Sequence, residues 1–382
     1  MTRTYLDHAS TTPPRPEALA ALLEWMALPA ADPGRLHEEG RVVRDALEES
    51  RQHVATLLHV TPREVVFTSG ATEAINAAAW GATRQRPGAP VLFAEVEHSA
   101  VRDASARLAP SEIMAVDVSA RIDTDVLAAR LRDTTQAQPS LVHCQWANHE
   151  VGTLQPVHDV VRLCREAGVP VHVDAAAACG HVPLDLGALE ADLVSVSAHK
   201  IGGVPGAGAL IIRRGSRFEP FIVGGEQERA RRAGLEAMPA LIAFGAAAAA
   251  LGADDQRLLH QEARRARTHI GALSRAATSV ADVETVGPAR EEDRLPSLLC
   301  LGVPGVEAEP VLIGLDRSGV AVHSGSACSS ESIEPSPVLE AMGVDASHSL
   351  RVSVGWTTTD DDVTAFGRAF AEVVAGLRAL RS

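Results

Sequence analysis

Apolar positions along the chain fall into short solid or alternating blocks, separated by longer stretches with helical spacing. The blocks predict strands at 65–67, 91–95, 140–146, 171–173, 192–197 and 208–213. Helical spacing predicts helices over 17–28, 41–58, from 74 through 80, over 157–167, and a long one from 237 to about 277. Strand and helix alternate up to about residue 212. That order predicts an α/β fold with a mainly parallel sheet and helices on both faces. From 283 the pattern changes to strands at 298–302, 320–323 and 349–354, with a helix from about 337. This is α+β in character. No internal repeat and no low-complexity linker interrupts the chain.

Chemistry collects where apolar blocks stop. The block at 171–173 ends in Asp174, and that at 192–197 ends in Ser197-Ala198-His199-Lys200. Ligands of open α/β sheets sit beyond the carboxyl ends of the strands. A lysine and a carboxylate on such ends suit pyridoxal phosphate (PLP), which needs a lysine for its Schiff base and an acid at the ring nitrogen. The same residues also read as a surface lysine and a loop-capping aspartate. Glycines 202, 203, 206 and 208 follow Lys200, and they let backbone pass close to a bulky group. After the strand at 65–67 comes Thr68-Ser69-Gly70-Ala71-Thr72-Glu73. This strand-to-helix turn fits a phosphate at a helix N-terminus, or a helix capped by Ser69 or Thr72. His98, after the strand at 91–95, fits a stacking partner for a flat ring or an ordinary satisfied histidine.

Composition narrows the class. With 46% hydrophobic and 22% charged residues over 382 positions, a sizeable core is expected and disorder is not. The net charge of −14 speaks against a nucleic-acid or anionic-membrane binder, although Arg229, Arg231 and Arg232 form a local basic patch. Five cysteines, at 144, 164, 179, 300 and 328, make an odd set with no Cys-x-x-Cys pair. That is neither a disulfide framework nor a zinc pattern, and it fits reduced thiols in the cytoplasm. Asp7 and prolines 13, 14 and 16 stand where a signal peptide would be apolar. The alanine-rich run 240–253 is too short to span a bilayer and reads as a buried helix.

Taken together, YLDHASTTP (5–13), FTSGATEAIN (67–76), VHVDAA (171–176), SAHK (197–200), SGSACSS (324–330) and EPSPVLEAMG (334–343) resemble the cysteine desulfurases, PLP enzymes of the class-V aminotransferase group. The resemblance covers nearly the whole chain. It implies the PLP-dependent transferase fold, with a large domain at 15–255 and a smaller α+β domain made of 1–14 and 256–382. It implies that Lys200 carries the cofactor and Asp174 pairs with the ring nitrogen. His98 would stack on the ring and accept a proton from the substrate thiol. Ala71, Thr72, Ser197 and His199 would hold the phosphate. Arg351, with Asn148 and His149, would bind the substrate, L-cysteine. Cys328 would take its sulfur as a persulfide, releasing L-alanine and passing the sulfur to an acceptor.

A homodimer is implied, with residues 229–235 reaching across a twofold axis; no metal, membrane or nucleic acid is. The long SGSAC segment is similar to that of the subgroup with a mobile catalytic loop. Three positions depart from the family pattern: His149 replaces an asparagine, Ala177 a glutamine and Leu235 a threonine. These leave open a selenocysteine or C–S lyase acting on another cysteine derivative. A non-catalytic sulfur-transfer scaffold is a further alternative, disfavoured by the retained Asp174, Lys200 and Arg351.

Overall fold

A computed structural model describes residues 3–28, 31–324 and 336–380; Cys328 lies outside the described residues. The strands are β1 (Thr4–Tyr5), β2 (Val65–Thr68), β3 (Val91–Ala94), β4 (Ser111–Met114), β5 (Leu141–Gln145), β6 (Val171–Asp174), β7 (Leu193–Ser197), β8 (Gly208–Ile212), β9 (Glu284–Val286), β10 (Leu298–Gly302), β11 (Val320–Ala321) and β12 (Ser349–Ser353). The helices are α1 (Pro16–Met26), α2 (Glu38–Leu58), α3 (Ala71–Thr83), α4 (Ser99–Leu108), α5 (Thr124–Arg132), α6 (Val157–Glu166), α7 (Leu186–Leu189), α8 (Gln227–Ala230), α9 (Met238–Thr278), α10 (Ala308–Arg317), α11 (Pro337–Ala341) and α12 (Asp360–Ala379).

Seven strands form one sheet in the order β2-β8-β7-β6-β5-β3-β4. All neighbours run parallel except β8, which is antiparallel to both β2 and β7. The reason is local. A parallel pairing needs a long crossover, and only the glycine-rich stretch after Lys200 joins β7 to β8. The central strands β5, β6 and β7 are buried at every position, which is why they read as solid apolar blocks.

A second core is built from β9, β10 and β12, the β1–β11 pair, and helices α10 and α12. Leu6 lies in this core beside Leu299, Val352, Phe366 and Phe370, so the first residues of the chain pack with the last.

Two regions differ from the sequence expectation. The stretch between β3 and β5 holds α4, β4 and α5; β4 is largely exposed and polar, so no apolar block announced it. The long helix α9 is broken at its middle, where Asp254, Asp255 and Gln256 have φ of 49°, 54° and 58°. Aspartate tolerates this left-handed conformation better than most residues. Gln256 is buried and donates to Leu57 O at 2.9 Å, a bond that fixes the break against the end of α2.

Candidate active site

The floor of the site follows from sheet register. Asp174 at the end of β6 pairs with Ser195 of β7. One oxygen of Asp174 accepts from the Ser195 hydroxyl and the Ala176 N–H, each at 3.0 Å. Burial pushes this carboxyl above its usual range, while those two donors and the nearby His149 and Lys200 pull it back toward ionisation.

Beyond β7 the chain makes one tight turn, Ala198–Lys200. The Lys200 ammonium donates to the carbonyls of Ala9 and Ser10. Gly202 has φ +89°, and a Cβ there would lie 2.5 Å from Arg15 Cγ. Only glycine fits. Arg15 clamps the turn from behind, donating to Ile201 O at 2.8 Å and pairing with Glu262 at 2.6 Å.

Beside Lys200 the N-terminus of α3 opens toward the cavity. Gly70 is its N-cap, and no side chain caps it; the capping reading for Ser69 and Thr72 is therefore not realised. Glu73 instead accepts from the Ser69 N–H at 2.9 Å and is held by Arg232 at 2.9 Å. The first N–H groups of a helix have no intrahelical acceptor, so Ala71 and Thr72 present donors to an anion. Gly208 permits the close approach behind this turn, since its Cβ would meet Gly70 Cα at 2.6 Å. His199 shares a 3.1 Å hydrogen bond with Thr11 and is held neutral, near pKa 4, by burial and by Lys200.

These parts line a cavity of about 610 Å³. Lys200, Asp174, His98, Ala71, Thr72, Ser197, His199 and His149 all border it, as does Ala177.

Three expected residues behave differently. Asn148 is fully buried and does not line the cavity. Its carbonyl accepts from the N–H groups of Glu150 and Val151 at 2.9 Å, and its amide donates to Val96 O, so it shapes the turn that presents His149. Arg351, 4% exposed, lies behind the lining: its Nη2 donates to Asp7 at 2.9 Å and Ser10 at 2.7 Å, and Nη1 to His149 O at 3.0 Å. His98 caps α4, with Nδ1 accepting from the Ala100 N–H at 3.1 Å. Burial, His149, Lys200 and Arg102 push its pKa down to about 3. A neutral ring whose Nδ1 accepts carries its proton on Nε2. His98 thus offers the cavity an N–H at Nε2. His149 meets it edge-on, with ring centres 5.0 Å apart.

Sequence reasoning gave no role to Asp7, Ser10, Glu97 or Gln145. Ser10 and Gln145 line the cavity, Asp7 holds Arg351, and Glu97 is buried with one oxygen accepting from the Gln145 N–H at 2.7 Å. Gln145 had a signal, as the polar end of a buried strand. Asp7 and Ser10 sat inside a quoted motif, but their partners lie more than 300 residues away. The four described cysteines are all buried.

The profile of the aminotransferase class-V family matches residues 4–366. The cysteine desulfurase of Cereibacter sphaeroides is 37% identical over all of this chain and 98% of its own length. The IscS-like cysteine desulfurase of Mycobacterium tuberculosis is 36% identical, covering 98% of this chain and 97% of its own. The solved NifS-like protein of Rickettsia africae superposes with a TM-score of 0.87 at 28% identity, over 98% of this chain and 99% of that one. With sequence, fold and cavity agreeing over nearly its whole length, the chain belongs to the aminotransferase class-V family, among its cysteine desulfurases.

Proposed function

We propose that the protein is a PLP-dependent cysteine desulfurase that converts L-cysteine to L-alanine and carries the sulfur as a persulfide on Cys328. The observation that carries this reading is the convergence of Lys200 and Asp174, from adjacent parallel strands, on the same cavity as the α3 N-terminus. The family is PLP-dependent, and the residues present fit that cofactor. A buried carboxylate at the floor suits a ring nitrogen, a lysine stands one strand away, and open helix N–H groups suit a phosphate. Lys200, Asp174 and His98 would hold the ring; Ala71, Thr72, Ser197 and His199 would hold the phosphate.

When bound, PLP supplies an electron sink for the bonds at the substrate Cα. Asp174, as the anion, would keep a proton on the pyridine nitrogen. Lys200 Nζ would take the Cα proton of the substrate. Arg351 would engage the substrate carboxylate, and the Nε2–H of His98 would hydrogen-bond the substrate sulfur, whose thiol proton is given up to solvent. Cys328 Sγ, as thiolate, then forms an S–S bond as the C–S bond breaks; the carbon fragment is protonated and leaves as alanine. An acceptor nucleophile afterwards removes the outer sulfur. A homodimer accords with the exposed apolar side chains of Phe221, Val223 and Leu235.

Brief exposure to cysteine should add one sulfur to the peptide containing Cys328, detected by mass spectrometry. Cys328→Ser should bind PLP normally yet release almost no alanine. Persulfide on Cys144, Cys164, Cys179 or Cys300, or undiminished alanine release by the variant, would favour a C–S lyase. His149 is the feature that favours such a reshaped pocket. Parallel assays with selenocysteine test whether selenium is the preferred cargo.

A further inference from the structure

Arg351 is already occupied by a carboxylate. Its side chain is 4% exposed and pairs with Asp7, itself 19% exposed, at 2.9 Å. Ser10 completes the arrangement. Its hydroxyl accepts from Arg351 Nη2 at 2.7 Å and donates to Asp7 at 2.9 Å. Among the described residues Arg351 Nε has no hydrogen-bond partner. Asp7 is fixed independently of this contact. Its backbone is in register with Ser353, two residues beyond Arg351, and Tyr5 donates to its carbonyl at 3.1 Å. The neighbouring Ala9 N–H bonds the Ser353 hydroxyl at 2.8 Å. Aspartate and guanidinium are therefore held on adjacent segments whether or not a ligand is present.

We propose that Asp7 stands in for the substrate carboxylate: a positioning residue that holds Arg351 in the empty site, yields it to an arriving carboxylate, and so sets substrate and product affinity. The charge count explains why. A buried cation left without a partner is costly, and Asp7 supplies its counter-charge between turnovers. A ligand carboxylate brings a second negative charge to the same guanidinium, and the two anions repel. Asp7 thus weakens ligand binding and aids release of alanine. Ser10 and the His149 carbonyl would continue to orient Arg351 without it, so the charge decides the sign. The inference rests on Arg351 being the carboxylate site of the proposed reaction.

The test uses the PLP-loaded enzyme and two non-sulfur ligands, L-alanine and its decarboxylated analogue ethylamine. Binding is followed by the cofactor's visible absorbance and by the ligand-induced shift in melting temperature. Asp7→Asn should bind alanine about tenfold more tightly, the effect of removing one nearby like charge, with ethylamine unchanged. Without ligand it should melt below the parent, and saturating alanine should raise its melting temperature by more. Asp7→Ser, neutral and smaller, is the second variant should the first fold poorly. Alanine affinity that is unchanged or weaker, or an equal change for ethylamine, overturns the proposal. Arg351→Gln separates the two layers: it should weaken alanine and spare ethylamine. If it alters both or neither, Arg351 is not the carboxylate site, and the role of Asp7 falls with it.

Discussion

The cavity has two banks, built in different ways. On the cofactor bank, Asp174 and Lys200 project from the ends of β6 and β7, and backbone register between neighbouring strands sets their spacing. On the substrate bank, Arg351 of β12 meets Asp7, Ser10 and His149 through side-chain hydrogen bonds that span 202 to 344 residues of sequence. The first bank is as rigid as the sheet. The second depends on the second core, in which Leu6 packs beside Val352. Changes on the first bank should strike the chemistry, and changes on the second should strike affinity.

The largest expected effect lies on the cofactor bank. Asp174→Asn keeps the shape and the Ser195 contact but removes the anion proposed to hold the ring proton. Turnover should fall by about 10²–10³, the usual loss when a preorganised electrostatic partner of the reaction is removed. Steady-state alanine release on protein checked for full PLP loading is the measurement. A variant within threefold of the parent would erase the distinction between the banks.

This contrast also explains what the sequence disclosed. Asp174 and Lys200 were legible because a buried strand is a solid apolar block, and its first polar residue marks the rim of the sheet. The turn proposed to hold the phosphate was legible for the same reason, through Gly70 and the small residues after β2. Asp7 was not, since nothing near it in sequence indicates a guanidinium more than 300 positions away. For Asn148 and His98 the motif gives residue identity and not direction. Asn148 spends its side-chain carbonyl on its own turn and its amide N–H on Val96 O, and His98 spends Nδ1 on capping α4. The break in α9 was hidden because Gly252-Ala253-Asp254-Asp255 looks like a helix with a weak spot, and only the buried Gln256 contact makes it a stop.

A smaller effect is expected where the family's usual contacts to the cofactor are missing. Ala177 borders the cavity, and Leu235, 63% exposed, lines a small adjoining pocket with Ser69 and Gly206. Each hydrogen bond to a charged group is worth about 1.5–3 kcal/mol. Ala177→Gln and Leu235→Thr together should therefore slow PLP loss on dialysis by about 100-fold or more, while the Kd for alanine stays near the parent value. Equal dialysis rates would mean that neither position faces the cofactor. A changed alanine affinity would mean that the two banks are coupled.

The smallest effect concerns a second carboxyl under the cofactor bank. Glu97 is 1% exposed, and among the described residues its Oε2 has no hydrogen-bond partner. Burial pushes its pKa up to about 8; the Gln145 N–H opposes this and the charge of Asp174 adds to it. Glu97 is thus largely protonated at pH 7 and adds no second buried charge beside Asp174. The consequence for stability has a definite sign. The folded value lies above the ordinary 4.5, so the unfolded chain releases this proton first as pH rises. Between those two values Glu97 lowers stability by about 1.4 kcal/mol per pH unit, and above the folded value its contribution levels off. Glu97→Gln, which keeps the neutral shape, should flatten this part of the curve. Denaturant midpoints measured from about pH 5.5 to about pH 8.5 should fall more steeply for the parent than for the variant. Turnover at pH 7 should change less than threefold, because the group being replaced already carries no charge. Parallel curves for the two proteins would show that Glu97 is ionised in the folded state, placing a second buried anion beside Asp174 and removing the basis for treating that aspartate as the bank's single charge.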